Sequence, residues 1–335
     1  MAQIPFAELL SFFAKHKKFL VSGHVRPDGD SIGSAVALCS LLNRHGHDAF
    51  YPVDAGKAGA PAFLLAGSAA VPFERIPDFD AVVCVDCASA DRLDPRLQGL
   101  VSGKPVACID HHHTNTAFGI VNCIDPEASS TGELICRLAD AAEWTLNRTE
   151  AEALWVSIVT DSGRFAYELT SPETLRIAAR LKALGVRSQE INDRLYCCFT
   201  RQALELKRRA FNTLEVSPDG RIASVSLSAT DFLASGAGKS DAEDVIEIPR
   251  SVAGSVIALY LYQTPERPEV TRLSIRTRAP LDATRLAGAY GGGGHLRAAG
   301  CDINLPLEAA KKAVLEQIAC LYPVAGNEVA PASGK

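Results

Sequence analysis

Residues 18–42 read KFLVSGHVRPDGDSIGSAVALCSLL, and within this stretch the pattern of apolar residues changes from that of a strand to that of a helix. The first six residues form a short, mostly apolar run that predicts a buried strand over 18–23. From Ile32 to Leu42, apolar side chains recur at the spacing of one helix face, so a helix is expected to follow. A strand that leads into a helix through a polar turn is typical of an α/β protein with a parallel sheet.

The same alternation of apolar runs and helical patterns continues through the first half of the chain. A helix is predicted after Ser130, which stands at capping-box spacing from Glu133. This half should therefore form a mostly parallel sheet flanked by helices. The other predicted strands lie over 48–52, 81–85 and 106–109, and a further helix lies over 149–160.

The second half predicts a smaller α/β domain with a mixed sheet. A charged segment over 188–214 is continuously helical in pattern and is interpreted as a connection between domains. Beyond it we predict strands over 222–228, 256–262 and 272–277, and helices over 282–289 and 307–321. The predicted organisation is an N-terminal domain over 1–187, a helical linker over 188–216, a second domain over 217–324 and a disordered tail over 325–335.

Composition narrows the class of protein. The 335 residues carry a net charge of −5 and no basic run of the kind that grips long nucleic acid, so a nucleic-acid substrate should be short. The apolar runs are far below the ~20 residues of a membrane helix, and no basic leader is present, so no membrane association is predicted. The ten cysteines suit a reducing cytoplasm, and Cys84 and Cys87 are expected to pack in the core.

Ionisable side chains cluster where the predicted strands end. Because the carboxyl ends of parallel strands meet at one edge of a sheet, these groups should converge. So many carboxylates repel one another unless cations neutralise them. They are His24, Asp28 and Asp30 after the first strand, Asp86 after the strand over 81–85, Asp110, His111 and His112 after the strand over 106–109, and Asp161 at the end of the helix over 149–160.

The ligand types favour two divalent cations, most of all Mn²⁺, with Mg²⁺ or Co²⁺ as alternatives. Oxygen ligands suit Mn²⁺ or Mg²⁺, and the imidazoles shift the preference towards Mn²⁺. Two ions about 3.5–4 Å apart can activate water and neutralise the oxygens of a phosphoryl group. Such a pair needs a bridging carboxylate, for which Asp86 is the natural candidate. A single aspartate at a strand end is more typical of a turn or cap, and Asp30 before Ser31 can cap the following helix.

Four motifs in the first half closely resemble those of the DHH phosphoesterase superfamily. They read VSGHVRPDGDSIGS over 21–34, VCVDCAS over 83–89, IDHHHTN over 109–115 and VTDSGRF over 159–165. His113, which extends the third motif to DHHH, has no assigned role. The resemblance implies that His112 faces the phosphate and that Asp110 supports its neighbours. It implies metal ligands at His24, Asp28, Asp30, Asp86, His111 and Asp161.

Residues 291–300 read GGGGHLRAAG, and backbone N–H groups in such a tract can line a concavity for phosphate oxygens. A helix is predicted to begin at His295 and to add its positive end. The tract resembles the DHH-associated C-terminal domain of the oligoribonuclease and 3′-phosphoadenosine 5′-phosphate phosphatase branch. Family II pyrophosphatases carry a different C-terminal domain, which argues against pyrophosphate as substrate. The implied substrate contacts are Arg250, Arg276, Gly291, Gly292, Gly293, Gly294 and His295.

The resemblance implies a cytoplasmic phosphoesterase that cleaves oligoribonucleotides of about two to five residues to mononucleotides and 3′-phosphoadenosine 5′-phosphate to AMP. Its expected partners are therefore small nucleotides, with neither long nucleic acid nor membrane, and a homodimer is possible. Two alternatives stay open: a phosphodiesterase for cyclic di-AMP or its linear dinucleotide, and a non-catalytic nucleotide-binding regulator. The hydroxyls of Ser129, Ser130 and Thr131 either cap a helix or contact bound phosphate.

Overall fold

A computed structural model describes residues 4–322, and the chain divides into two compact units, Met1–Cys198 and Phe199–Lys335. In the described part of each unit the strands form one six-stranded sheet. No helix within residues 4–322 is both long and apolar enough to cross a membrane. The predicted domain boundaries remain predictions, and the predicted tail over 325–335 lies outside the described residues.

The sheet of the first unit is parallel throughout. Its strands are β1 (Lys18–Ser22), β2 (Asp48–Pro52), β3 (Ala70–Val71), β4 (Ala81–Val85), β5 (Val106–Asp110) and β6 (Val121–Ile124), in the lateral order β3-β2-β1-β4-β5-β6. Every neighbouring pair runs parallel, which confirms the predicted sheet. Because β4 lies between β1 and β5, the carboxyl ends of the three strands that precede the predicted ligands are adjacent.

Two helices of this unit pack closely against each other at glycine residues. A Cβ atom on Gly33 would lie 2.4 Å from the Ala153 carbonyl, and one on Gly29 would lie 2.4 Å from the Thr160 hydroxyl. The two helices that carry these residues therefore pack at a distance that only glycine permits. The helices are α1 (Phe6–Lys15), α2 (Gly29–Arg44), α3 (Pro95–Val101), α4 (Thr131–Ala141), α5 (Arg148–Asp161), α6 (Pro172–Ala183) and α7 (Ser188–Asn192).

The second unit has the predicted mixed sheet. Only β8 and β9 pair in parallel, and the other neighbours are antiparallel. Its strands are β7 (Glu215–Val216), β8 (Ile222–Leu227), β9 (Ile257–Thr264), β10 (Arg267–Thr277), β11 (Gly293–His295) and β12 (Ala298–Ile303), in the order β11-β12-β10-β9-β8-β7. Its helices are α8 (Arg201–Asn212), α9 (Ala229–Ser235), α10 (Glu247–Arg250), α11 (Ala283–Gly288) and α12 (Leu307–Leu321).

The prediction that a helix begins at His295 is wrong. His295 ends strand β11, which turns back to pair antiparallel with β12. Cβ atoms on Gly292 and Gly294 would lie 2.3 Å and 2.4 Å from the carbonyls of Gly300 and Ala298. The glycines therefore let two strands approach closely, and no helix N-terminus is available there to a phosphate.

The prediction of continuous helix over 188–214 is also wrong. Helix α7 continues into a π-helical turn, Asp193–Cys197, and residues 198–200 are not helical. The side chain of Thr200 then accepts a hydrogen bond from Ala203 N at 2.9 Å and starts α8 as a new helix. An N-cap threonine satisfies a backbone N–H that an uninterrupted helix would bond internally.

Candidate active site

Three side chains converge beyond the carboxyl ends of β1 and β4. His24 Nε2 lies 3.5 Å from Asp86 Oδ2 and 3.7 Å from Asp28 Oδ2. Candidate ligand atoms of all three residues lie within 4.8 Å of one another. Asp28 also caps α2, accepting a hydrogen bond from Ser31 N at 3.1 Å. The alternative prediction that Asp30 caps this helix is therefore wrong.

A second group forms around His111, directly after β5. Its Nε2 lies 3.1 Å from Asp161 Oδ2, 3.6 Å from Asp30 Oδ2 and 3.9 Å from Asp86 Oδ1. Asp86 therefore presents one oxygen to each group. The six residues predicted as metal ligands lie in two groups that share this single carboxylate.

The carboxylates of these two groups are difficult to ionise together without a nearby positive charge. Burial, together with the carboxylates of Asp30 and Asp28, raises the pKa of Asp86 well above its ordinary value. Burial also raises the pKa of Asp30 to about 6, with help from Asp161 and against the opposing effect of His111. Carboxylates that resist ionisation together are stabilised by a bound cation.

One buried atom of the first group supports the same conclusion. Asp86 Oδ2, which faces His24 Nε2, is buried without a hydrogen-bond partner among the described residues. Unsatisfied buried polar atoms are rare and mark positions where a ligand belongs. Asp86 also has a φ of +52°, a conformation that few side chains adopt without strain. The oxygen and imidazole donors suit a hard or borderline divalent metal.

Asp30 is held in place by the start of α4. Its Oδ2 accepts a hydrogen bond from Thr131 N at 2.8 Å, and its Oδ1 accepts one from Gly132 N at 3.2 Å. The hydroxyls of Ser34, at 3.0 Å, and of Ser157 also donate to Oδ1. Because a carboxylate oxygen offers about two lone pairs, Oδ2 is the oxygen with capacity left for a metal. Sequence reasoning missed this arrangement.

The hydroxyls of Ser129 and Ser130 have partners near the start of α4, whereas Thr131 Oγ1 is buried without one among the described residues. Ser130 caps the helix by accepting from Glu133 N at 3.2 Å. The reciprocal half of the predicted capping box is absent, because the Glu133 carboxylate accepts instead from Ser129 Oγ and Thr174 Oγ1, each at 2.7 Å.

A second hydrogen-bonded chain orients His112. Asp110 is buried, and its Oδ1 lies 2.8 Å from His112 Nδ1. Its Oδ2 accepts from Asn115 Nδ2 at 2.6 Å. Burial raises the pKa of Asp110, but the hydrogen bonds from His112 and Asn115 outweigh it and hold that pKa below its ordinary value. An ionised Asp110 accepts from a protonated Nδ1 of His112, so Nε2 is the ring nitrogen that points away from Asp110. Asn115 was not predicted to take part.

The predicted substrate residues lie in the second unit. Arg276 on β10 and His295 on β11 both stand opposite Ala298 of β12, so the three side chains share one face of the sheet. The small Ala298 side chain separates the two larger ones. Arg250 lies at the end of α10, where it forms an ion pair with Glu247 at 2.8 Å.

Comparisons with known proteins agree on a family. Residues 18–158 match the DHH family, N-terminal domain. The "Bifunctional oligoribonuclease and PAP phosphatase NrnA" of Thermus thermophilus is 33% identical over 307 residues, which cover 89% of this chain and 88% of that protein. The protein of the same name from Bacillus subtilis is 28% identical over 303 residues, 88% and 92% of the two chains.

A solved structure resembles the whole fold. The crystal structure of an exopolyphosphatase-related protein from Bacteroides fragilis matches with a TM-score of 0.85 at 24% identity, covering 96% of this chain and 99% of that chain. At this identity the likeness shows a shared fold and says nothing of substrate.

Proposed function

The chain belongs to the DHH family of metal-dependent phosphoesterases, and from that membership we propose that it hydrolyses short oligoribonucleotides to mononucleotides and 3′-phosphoadenosine 5′-phosphate to AMP. The names of its relatives support both substrates. The observation that carries the proposal is the pair of ligand groups that share Asp86. A non-catalytic nucleotide-binding protein has no need of such a pair.

Two divalent ions, Mn²⁺ by preference and Mg²⁺ or Co²⁺ as alternatives, fit the two groups. One would be held by His24, Asp28 and Asp86, and the other by four residues that again include Asp86. When bound, such ions supply activation of water and neutralise charge on phosphoryl oxygens. The second set is Asp30, Asp86, His111 and Asp161.

The protein's own groups complete the chemistry. We assign to His112 the transfer of a proton from Nε2 to the departing oxygen, which requires the ring to be the imidazolium, while the Asp110 carboxylate at Nδ1 orients the ring and stabilises that cation. In the second unit, the guanidinium groups of Arg250 and Arg276 suit phosphate because their planar fork can bind two oxygens at once. His295 and the glycines Gly291, Gly292, Gly293 and Gly294 are assigned to the same anchoring role.

The cellular compartment and the oligomeric state are also proposed from the sequence. All ten cysteines are free thiols, and Cys84 and Cys87 are buried, which supports a reducing cytoplasm and a packing role for both. A homodimer remains a prediction from the sequence.

The substrate assignment is tested with one panel of compounds. With Mn²⁺ present, we expect mononucleotides from a ribodinucleotide and a pentamer, AMP from 3′-phosphoadenosine 5′-phosphate, and slow cleavage of a long single strand. The reason is the acidic net charge, which opposes binding of many phosphates. Product release would be measured by chromatography, with a chelator as control. Preferential cleavage of cyclic di-AMP would favour the alternative phosphodiesterase, and no metal-dependent product from any compound would reject catalysis.

Ser157 is expected to act as a positioning residue for Asp30. Changing Ser157 to alanine removes one hydrogen bond to Asp30 Oδ1 and should weaken Mn²⁺ binding about 10–100-fold, the usual effect of losing a group that orients a metal ligand. The measurement is a calorimetric Mn²⁺ titration alongside kcat. Ser40→Ala is the matched control, because its hydroxyl binds Glu150 at 2.8 Å instead of a predicted ligand. Unchanged Mn²⁺ affinity in Ser157→Ala would contradict the role.

A further inference from the structure

A cavity of about 210 Å³ adjoins the first ligand group. His24 forms part of its wall, so the cavity and the candidate metal site share a side chain. We call it the His24 cavity. It is smaller than the about 300–1,000 Å³ of typical pockets for drug-sized ligands, so it has room for one ring system and not for a dinucleotide. Besides His24, its wall includes Arg26, Tyr51, Asp54, Phe73, Asp94 and Arg96.

One wall of the His24 cavity is a fixed, planar platform. Arg96 lies with its guanidinium carbon 3.5 Å from the centroid of the Phe73 ring. The same guanidinium donates to Asp94 at 2.9 and 2.8 Å and to Asp54 at 3.0 Å. These contacts settle its orientation before any ligand arrives. Because Phe73 covers one face and the side chain is 44% exposed, the opposite face is the one a ligand would meet.

The charges of this wall do not favour a phosphate. Arg26 and Arg96 carry two positive charges, and Asp54 and Asp94 carry two negative charges, so the four sum to zero. Side chains that bind phosphate do so through charge-assisted hydrogen bonds from Arg or Lys, and the positive charge of this wall is already matched by its carboxylates. An uncharged aromatic ring gains instead from stacking on a guanidinium plane, which is how proteins hold unpaired nucleobases. Asp94 Oδ2, which accepts from Arg96 at 2.8 Å, can accept a second hydrogen bond from an amino group of a base.

We propose that the His24 cavity binds a nucleobase of the oligoribonucleotide substrate, namely the base of the nucleoside that the second unit does not anchor. This inference rests on the proposed function, because an oligoribonucleotide has at least two nucleosides and 3′-phosphoadenosine 5′-phosphate has one. The single nucleoside of the latter is held by the residues assigned to the second unit. The His24 cavity therefore serves the oligonucleotide reaction and leaves the phosphatase reaction unaffected.

The test compares the two substrates in three variants. Arg96→Lys keeps the charge and loses the planar platform, and Phe73→Ala removes the ring behind it. Each is expected to lower kcat/KM for a ribodinucleotide about 10-fold, mainly through KM, as removal of one base-stacking contact does. Neither should change kcat/KM for 3′-phosphoadenosine 5′-phosphate by more than about two-fold. Phe79→Ala is the matched control, because Phe79 packs on the same apolar cluster as Phe73 and does not line the cavity.

The outcomes separate this inference from the function on which it rests. A loss confined to the dinucleotide supports it. Equal losses on both substrates, or no loss on either, overturn it while the enzyme's activity stands. A wild-type enzyme that fails on the dinucleotide, whether or not it hydrolyses 3′-phosphoadenosine 5′-phosphate, overturns both the oligoribonuclease assignment and the base site. A dinucleotide loss of the same size in Phe79→Ala would assign the effect to packing and also reject it.

Discussion

Asp86→Asn is expected to abolish hydrolysis of both proposed substrates while the protein stays folded. Asp86 presents Oδ2 to the group of His24 and Oδ1 to the group of His111, and an amide nitrogen cannot replace either oxygen as a metal ligand. Metal ions supply several kcal/mol of transition-state stabilisation, so the loss should be at least about 10³-fold in kcat. Asparagine suits the position because it tolerates the positive φ of +52° better than alanine does.

Metal binding gives a second measurement that does not depend on turnover. Mn²⁺ should raise the Tm of the wild type, since a ligand that binds only the folded state stabilises it, and this rise should shrink in Asp86→Asn. Without metal the variant should melt no earlier than the wild type, because it removes one of several mutually repelling carboxylates. Asp140→Asn, at an exposed ion pair with Arg180, is the control for loss of an aspartate charge. Activity within about ten-fold of wild type in Asp86→Asn would reject the shared-carboxylate arrangement.

The parts of the fold and site that the sequence predicted are local ones. The four strands predicted in the first half are short, mostly apolar runs, and every predicted ligand except Asp161, which ends helix α5, follows one of them closely. Parallel pairing then brings separate segments together without further information, since Val85 pairs with Ile109 and their successors Asp86 and Asp110 stand side by side. The position of a ligand relative to its own strand is thus readable from the sequence.

The parts that were not predicted depend on contacts distant in sequence. Ser157 and Gly132 lie 127 and 102 residues from Asp30, and no local pattern marks either as its partner. The glycine tract was mispredicted because glycines permit a helix start, a turn or a close strand pair equally well. Its pairing with β12 is local, since His295 stands opposite Ala298, but β12 itself pairs with the more distant β10, where Ala298 stands opposite Arg276.

His112→Gln is expected to lower kcat for the ribodinucleotide by about 10²–10⁴-fold, the range attributed to a general acid. Glutamine can still donate a hydrogen bond to Asp110, but it has no proton to give at the departing oxygen. His112 is not among the predicted metal ligands, so Mn²⁺ affinity should stay close to that of the wild type. His113→Gln is the matched control, because His113 is the exposed neighbour in the same run of histidines.

A substrate with a better leaving group isolates the proton transfer. In a p-nitrophenyl ester of a nucleoside phosphate the leaving group is p-nitrophenolate, which is stable and needs little protonation. The kcat of His112→Gln for this ester should therefore fall by less than about 10-fold. The loss would then be large for the alkoxide leaving group of the dinucleotide and small for the phenolate. Equal losses on the two substrates would indicate that His112 stabilises the phosphoryl oxygens instead. A large fall in Mn²⁺ affinity would place it among the metal ligands, because only a ligand or its direct support changes that affinity.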